Sequence, residues 1–243
     1  MNKSDITAIV PISIIPSHPS TAIIDETIAS IRHHLPDSEI ILQIDGLRSE
    51  RKTRKNDYDE FKNKVLWKCL HEWTNVLPII FDKHSHQTTM MKKTIDEIRT
   101  SAILYVESDA PLVTEHDIDW EDCLDMLEYG KANTIRFHFE AFIPEPHEYL
   151  MLDKDGQFLQ TIQWSQRPHL SLVNYYRNVV LPFSTEKTFI EDRFHGKVQD
   201  DGWESHKLWI YHPEGSIKRS YHLDGRAGTR KFTSDDLAWG ITE

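Results

Sequence analysis

The chain has 243 residues, enough for one sizeable α/β domain or a domain with a small lobe. With 39% hydrophobic and 28% charged residues it reads as an ordinary soluble protein, and a net charge of −11 excludes a surface given over as a whole to nucleic acid. No apolar run approaches a membrane span, residues Met1 to Asp5 lack a signal-peptide pattern, and Cys69 and Cys123 make neither a disulfide framework nor a metal motif, so a reducing, cytoplasmic setting is expected.

Residues 6–15 open as a strand, and Pro11 is expected to end its paired part near Val10. Pro16-Ser17-His18-Pro19 is loop chemistry, and Ser20 is the expected N-cap of a helix on which Ile24, Ile28, Ile31 and Leu35 recur at helical spacing. Glu39 to Ile44 is a second strand and ends in Asp45-Gly46. Strand, helix, strand with short links is the start of a doubly wound fold. Arg48, Arg51, Lys52, Arg54 and Lys55 form a local basic run on an exposed loop or helix start. Tyr58, Phe61, Val65, Cys69 and Trp73 then mark a helix, and residues 76–81 a third apolar run. A polar loop carries His84 and His86, and Met91, Ile95 and Ile98 mark a helix that bears Lys92 and Lys93.

The stretch Ile103-Leu104-Tyr105-Val106-Glu107-Ser108-Asp109-Ala110-Pro111-Leu112 organises the rest. Its apolar part reads as a buried parallel strand, and two acids sit just past the carboxyl end, the edge where open α/β sheets bind ligands. Side chains two apart on extended chain point the same way, so Glu107 and Asp109 can share a divalent cation, and hard oxygen ligands select magnesium or manganese over zinc. An acid-x-acid pair alone is common at ordinary surface turns. Trp120, Cys123, Leu124 and Leu127 carry a further helix that ends at Gly130. In the second half, residues 134–140 alternate like a strand, 147–164 read as a hairpin turning at 153–156, Leu172, Tyr175, Tyr176 and Val179 suggest a helix, and 186–195 a short one. Residues 207–211 and 217–222 read as strands, and the tail from Gly225 as a basic loop.

Four of these stretches, in this order, resemble glycosyltransferases of the GT-A fold, in particular the inverting family-two group. They are Ile9-Val10-Pro11, residues 40–46 ending in Asp45-Gly46, residues 103–109, and Phe189-Ile190-Glu191-Asp192-Arg193-Phe194. The resemblance implies an α/β fold, a Rossmann-like mixed sheet flanked by helices, in one domain over 1–243. Residues to about 130 would be its nucleotide-sugar half, and those from about 131 an α+β acceptor half with a C-terminal loop. It implies that Pro11 and Asp45 lie at the nucleotide, that Asp109, with Glu107 in place of the first Asp of the Asp-x-Asp element, holds Mn2+ or Mg2+, and that a distal His, for which His222 is the candidate with Asp224 in reserve, completes the set. Asp192 would be the general base, with Glu191 as second choice, and a nucleotide-sugar, a UDP-sugar before others, the donor. Lys92 and the terminal Arg226, Arg230 and Lys231 are candidates for the diphosphate. The acceptor side would hold Trp164, Arg167, His169, Tyr175 and Tyr176, facing a glycan or another hydroxyl compound.

Two other readings share the scaffold. The basic run Arg48, Arg51, Lys52, Arg54, Lys55 could track DNA, making the acceptor a hydroxymethylated base of viral DNA. Glu107 also keeps open a non-catalytic nucleotide-sugar-binding protein. A sugar nucleotidylyltransferase needs a Gly-rich loop after the first strand, where this chain has Pro11 to Pro16. Without Cys ligands or a helical His-x-x-x-His pair, zinc is not expected.

Overall fold

The computed structural model describes residues 1–140, 142–215 and 217–223. The first half alternates as its periodicity predicts: β1 (Ile6–Ile12), α1 (Ala22–His34), β2 (Glu39–Ile44), α2 (Lys55–His71), β3 (Val76–Ile80), α3 (His86–Thr94), β4 (Ala102–Tyr105) and α4 (Trp120–Glu128). Then follow β5 (Thr134–Phe137), β6 (Met151–Asp155), β7 (Phe158–Thr161) and β8 (His169–Leu172). Helix α5 (Val173–Tyr175) runs through a π turn (Tyr176–Val180) into α6 (Leu181–Phe183), and α7 (Ile190–Asp201), α8 (Trp203–His206) and β9 (Leu208–Tyr211) close the order.

Among the described residues all the strands join one nine-stranded mixed sheet in the order β3-β2-β1-β4-β8-β5-β9-β7-β6. Strands β3, β2, β1 and β4 are parallel, and β8 enters antiparallel between β4 and β5. Both faces are covered, which is why the central strands are apolar at successive positions. On β1, Ala8, Val10 and Ile12 enter one core and Ile9 the other; on β4, Ala102 and Leu104 part from Ile103 and Tyr105 in the same way. The first core packs against α1, α2 and α4 through Ile28, Ile31, Phe61, Val65 and Leu124, and the second against α3, α5, α6 and α7 through Met91, Val173, Leu181, Ile190 and Phe194. Each such side chain contributes about 1.5–3 kcal/mol by leaving water.

Several expectations are corrected. Pro11 does not end the pairing: it lies inside β1, registered against Gln43. The last bond of β1 to β4 runs from the Val106 N–H to the Ile9 carbonyl, while the Ile12 carbonyl is bonded on the β2 side by the Asp45 N–H. By alternation the missing N–H of Pro11 points to where β4 has already left, so no ladder bond is lost. The cap of α1 is Thr21, whose hydroxyl bonds Asp25, while Ser20 reaches only the Ala22 N–H. Leu172 ends a strand rather than starting a helix, and residues 217–222 form no strand but a single antiparallel bridge, Leu112 with Ser220. The hairpin is shorter than expected and turns later: residues 147–150 are 3-10 helical, residues 153–155 belong to β6, and the turn into β7 is Gly156-Gln157, with Gly156 at φ +57°. Among the described residues no helix is long and apolar enough to cross a membrane.

Candidate functional site

The chain runs from β1 outward through β2 and β3, then returns to place β4 on the other side of β1. A crevice opens at the carboxyl ends of strands where the order reverses in this way. A cavity of about 240 Å³ lies there, lined by Pro11 and residues 13–15, by Asp45, Arg48 and Arg51 after β2, by His86, Gln87 and Met90 of α3, by Glu107, Ser108 and Asp109 after β4, and by Phe189.

Asp45 is buried and builds one wall. Its Oδ1 accepts the N–H groups of Gly46 at 2.8 Å and Ser85 at 2.7 Å; its Oδ2 accepts that of His86 at 3.2 Å and stands 2.8 Å from His84 Nδ1, without the geometry of a directed bond. The carboxylate thereby clamps the loop leading into α3 onto the end of β2. Gly46 permits it: a Cβ there would lie 2.2 Å from the backbone carbon of Lys83 and 2.5 Å from the His84 nitrogen. The acceptor capacity expected to reach a base or ribose is engaged by protein donors.

After β4 the chain turns, with the Ala110 N–H on the Glu107 carbonyl at 3.0 Å. Asp109 is buried and Glu107 half-buried. Residues 219–223 run beside this turn: the Tyr221 N–H bonds the Pro111 carbonyl at 3.1 Å and the Leu223 N–H that of Asp109 at 2.9 Å. His222 is thus held beside the backbone of this turn and lines the same cavity as Glu107. Its Nε2 accepts from the Arg167 guanidinium. Two carboxylates and one imidazole suit a manganese- or magnesium-sized cation, but among the described residues no three His, Cys, Asp or Glu side chains converge as a preformed metal cage.

A second cavity, about 440 Å³, adjoins the first and shares Glu107 and Phe189 with it. Its walls include Arg136 and His138 from β5 and its extension, Gln163, Gln166 and Arg167 ahead of β8, His222, and Glu191 and Asp192 from the first turn of α7. Glu191 Oε2 accepts the Gln166 N–H at 3.1 Å. Asp192 is exposed, and neither nearby phenylalanine shields it: Phe189 is 44% exposed, while Phe194 turns into the core, 4.8 Å from the Trp164 ring.

Lys92 is corrected: its Nζ bonds the Ser184 carbonyl at 2.7 Å, not a cavity. The basic run divides. Arg48 and Arg51 line the first cavity, Arg54 holds the His18 carbonyl at 2.6 Å, and Lys55 pairs with Asp59. Asp224, Arg226, Arg230 and Lys231 lie outside the described residues. Of the aromatic and polar groups expected on the acceptor side, only Arg167 lines the cavity; Trp164, Tyr175 and Tyr176 are core. His169 is buried between the Tyr105 and Tyr176 rings, with centroids at 5.1 Å and 5.7 Å. Its Nδ1 faces the Arg167 carbonyl at 2.7 Å and must donate, so in the neutral ring Nε2 accepts from the Tyr176 hydroxyl at 2.6 Å. Burial lowers its pKa to about 4.

Sequence reasoning missed Arg136, a wall of the second cavity, and the part that Arg48 and Arg51 play in the first. Arg136 is 4% exposed; burial lowers its pKa to about 10, against the opposing pull of Glu191 and Glu140. On the alternating strand Arg136 shares the polar face with Thr134 and His138, so no signal in the sequence marks it as buried.

No protein-family model matches the chain, and no curated protein matches it in sequence. Solved structures do. TarS residues 1–349 of S. aureus, in complex with UDP-GlcNAc, superposes with a TM-score of 0.57 at 11% identity, over 95% of this chain and 60% of that one. The fold is GT-A. GalNAc-T7 with UDP, GalNAc and Mn2+ gives a TM-score of 0.56 at 10% identity over 89% of this chain and 43% of that one. The mannosyltransferase PcManGT of Pyrobaculum calidifontis, with GDP-Man and Mn2+, gives 0.55 at 10% identity over 86% and 55%. The chain thus spans less than two thirds of the length of each of these GT-A proteins.

Proposed function

We propose that the protein is a glycosyltransferase that moves a sugar from a nucleotide-sugar, a UDP-sugar first, to an acceptor hydroxyl with inversion. The observation that carries this reading is the pair of adjoining cavities at the switch point, meeting at Glu107 beyond β4. The first suits a nucleoside diphosphate: its floor is the end of β1, and Arg48 and Arg51 offer forked donors to phosphate oxygens. The second suits the acceptor, and Asp192, or Glu191 beside it, faces that cavity as the base.

The acceptor oxygen attacks the anomeric carbon as its proton passes to the Asp192 carboxylate. The bond from that carbon to the diphosphate breaks, and the nucleoside diphosphate leaves in the first cavity. A base on the face opposite the leaving group gives inversion. Asp109 and Glu107, with His222 once its Nε2 is released from Arg167, would hold a manganese or magnesium ion. Bound there, the ion would neutralise charge developing on the diphosphate as a Lewis acid. The bound UDP and Mn2+ of GalNAc-T7 and the GDP-Man and Mn2+ of PcManGT favour the same donor chemistry.

Calorimetry with a panel of nucleoside diphosphates, with and without Mn2+, tests this. One nucleotide should bind in a metal-dependent manner, and Asp109→Ala should weaken it at least tenfold. If no nucleotide binds under either condition, the assignment fails.

A further inference from the structure

The second cavity has a charge pattern that glycosyl transfer as such does not require. Arg136 is 4% exposed, yet its guanidinium is held only by Gln163, Nη2 to Oε1 at 2.9 Å and Nη1 to the carbonyl at 3.4 Å, and its Nε has no partner among the described residues. Arg136 is registered against His169, two residues past Arg167, and both guanidiniums line the same cavity. That of Arg167 covers the Phe139 ring at 3.8 Å and donates to His222. Four acids share the lining with the arginines: Glu140, whose Oε2 lies 2.9 Å from His138 Nε2, Glu191, whose Oε2 accepts the Gln166 N–H at 3.1 Å, and Glu107 and Asp192. Among the described residues, neither arginine is in ion-pair contact with a carboxylate.

Arg136 has no carboxylate in direct contact, only the longer-range attraction of Glu191 and Glu140, so an anion placed against the part of its guanidinium that lines the cavity offsets the cost of its burial. Two neighbouring forked donors match the oxygens of a phosphate or carboxylate. The donor diphosphate has its own arginines, Arg48 and Arg51, in the other cavity.

We propose that the acceptor carries an anionic group, a phosphate or a carboxylate, which Arg136 and Arg167 hold in the second cavity, leaving the reacting hydroxyl towards Glu191 and Asp192. This rests on the transferase reading above.

Glucose, glucuronate and glucose 6-phosphate share a ring and differ at one carbon, so titrating each into the full chain, alone and with UDP and Mn2+ present, isolates the anion. Glucuronate or glucose 6-phosphate should bind at least tenfold more tightly than glucose under both conditions, and which of the two prevails names the group. Arg136→Gln and Arg167→Gln should each erase that preference; Arg136→Gln should leave the affinity for UDP with Mn2+ within about twofold, whereas Arg167→Gln also frees His222 Nε2, so its control is UDP binding without metal, unchanged within about twofold. Arg167 is half-buried, so its variant decides if Arg136→Gln does not fold. Nucleotide binding with no anion preference overturns the proposal alone. So does displacement of the anion by UDP, which would give the arginines to the donor. An anion preference in a protein that binds no nucleotide overturns the transferase reading and the acceptor assignment together.

Discussion

The Asp45 carboxylate faces three backbone N–H donors and one imidazole; one donor follows β2 and the other two lie at the start of α3. In Asp45→Ala these N–H groups lose their acceptor in a part-buried place. An orphaned donor costs about 1–3 kcal/mol, and water entering from the cavity recovers part of it. The expected loss in urea unfolding is about 3 kcal/mol, with the m-value unchanged. Asp45→Asn keeps one carbonyl oxygen for Gly46 and Ser85 and should lose about 1–2 kcal/mol. Equal stability of all three proteins would show that the clamp is not what holds the loop. The same residue marks a limit of sequence reading. An acid at the end of a strand is visible as a candidate; whether it faces a ligand or its own backbone depends on Lys83 to His86, which nothing in residues 40–46 announces.

At the scale of elements, α3 positions α7. Gln87 Oε1 accepts the Ile190 N–H at 3.1 Å, Thr88 Oγ1 bonds the Thr188 carbonyl at 2.8 Å, and Lys92 holds the Ser184 carbonyl at 2.7 Å. The first turn of α7, which presents Glu191 and Asp192, is thus fastened by polar side chains of α3, while Met91, one turn after Gln87, enters the core that Ile190 and Phe194 share. Thr88→Val with Lys92→Met should speed amide exchange at residues 185–192 at least tenfold while leaving β1 and β4 protected. Unchanged exchange there would assign the placement of α7 to its core contacts, Ile190, Phe194 and Val198. The alternation of the first half is legible because each strand and helix there carries its own apolar period. Strand β8 is not: it has four residues, His169–Leu172, and two of them are polar. Buried positions for His169 and Ser171 arise only because β4 and β5 flank them, with the Ser171 hydroxyl bonded to Thr134 at 2.7 Å. The acids after β4 and at the start of α7 stand out by residue type. Arg136 does not, since its meaning comes from the cavity that β5 and the segment before β8 enclose together.

Across the whole molecule, burial keeps many of the fourteen histidines neutral. His18 lies between α2 and the loop after β1, stacked 3.7 Å from Phe61; burial first, then Arg54, lowers its pKa to about 3. His169 falls to about 4, and His34, His86, His138, His206 and His212 shift the same way, with burial the largest cause in each. Between the ordinary value of 6.5 and these lowered values the unfolded chain binds protons that the folded chain refuses. Stability therefore rises with pH through that window. It is fully present above about pH 6.5 and is lost as pH falls towards 4, by about 1.4 kcal/mol per pH unit for each such histidine. Ordinary carboxylates titrate mainly below about pH 4.5, so the interval from about 6.5 to 4.5 isolates the histidines. Urea unfolding across it should give a slope of at least two protons, and His18→Gln, which cannot titrate, should lower it by about one. A flat profile would mean that these rings are protonated in the fold. In that case the Tyr176 hydroxyl, facing a doubly protonated His169, would have to turn from donor to acceptor.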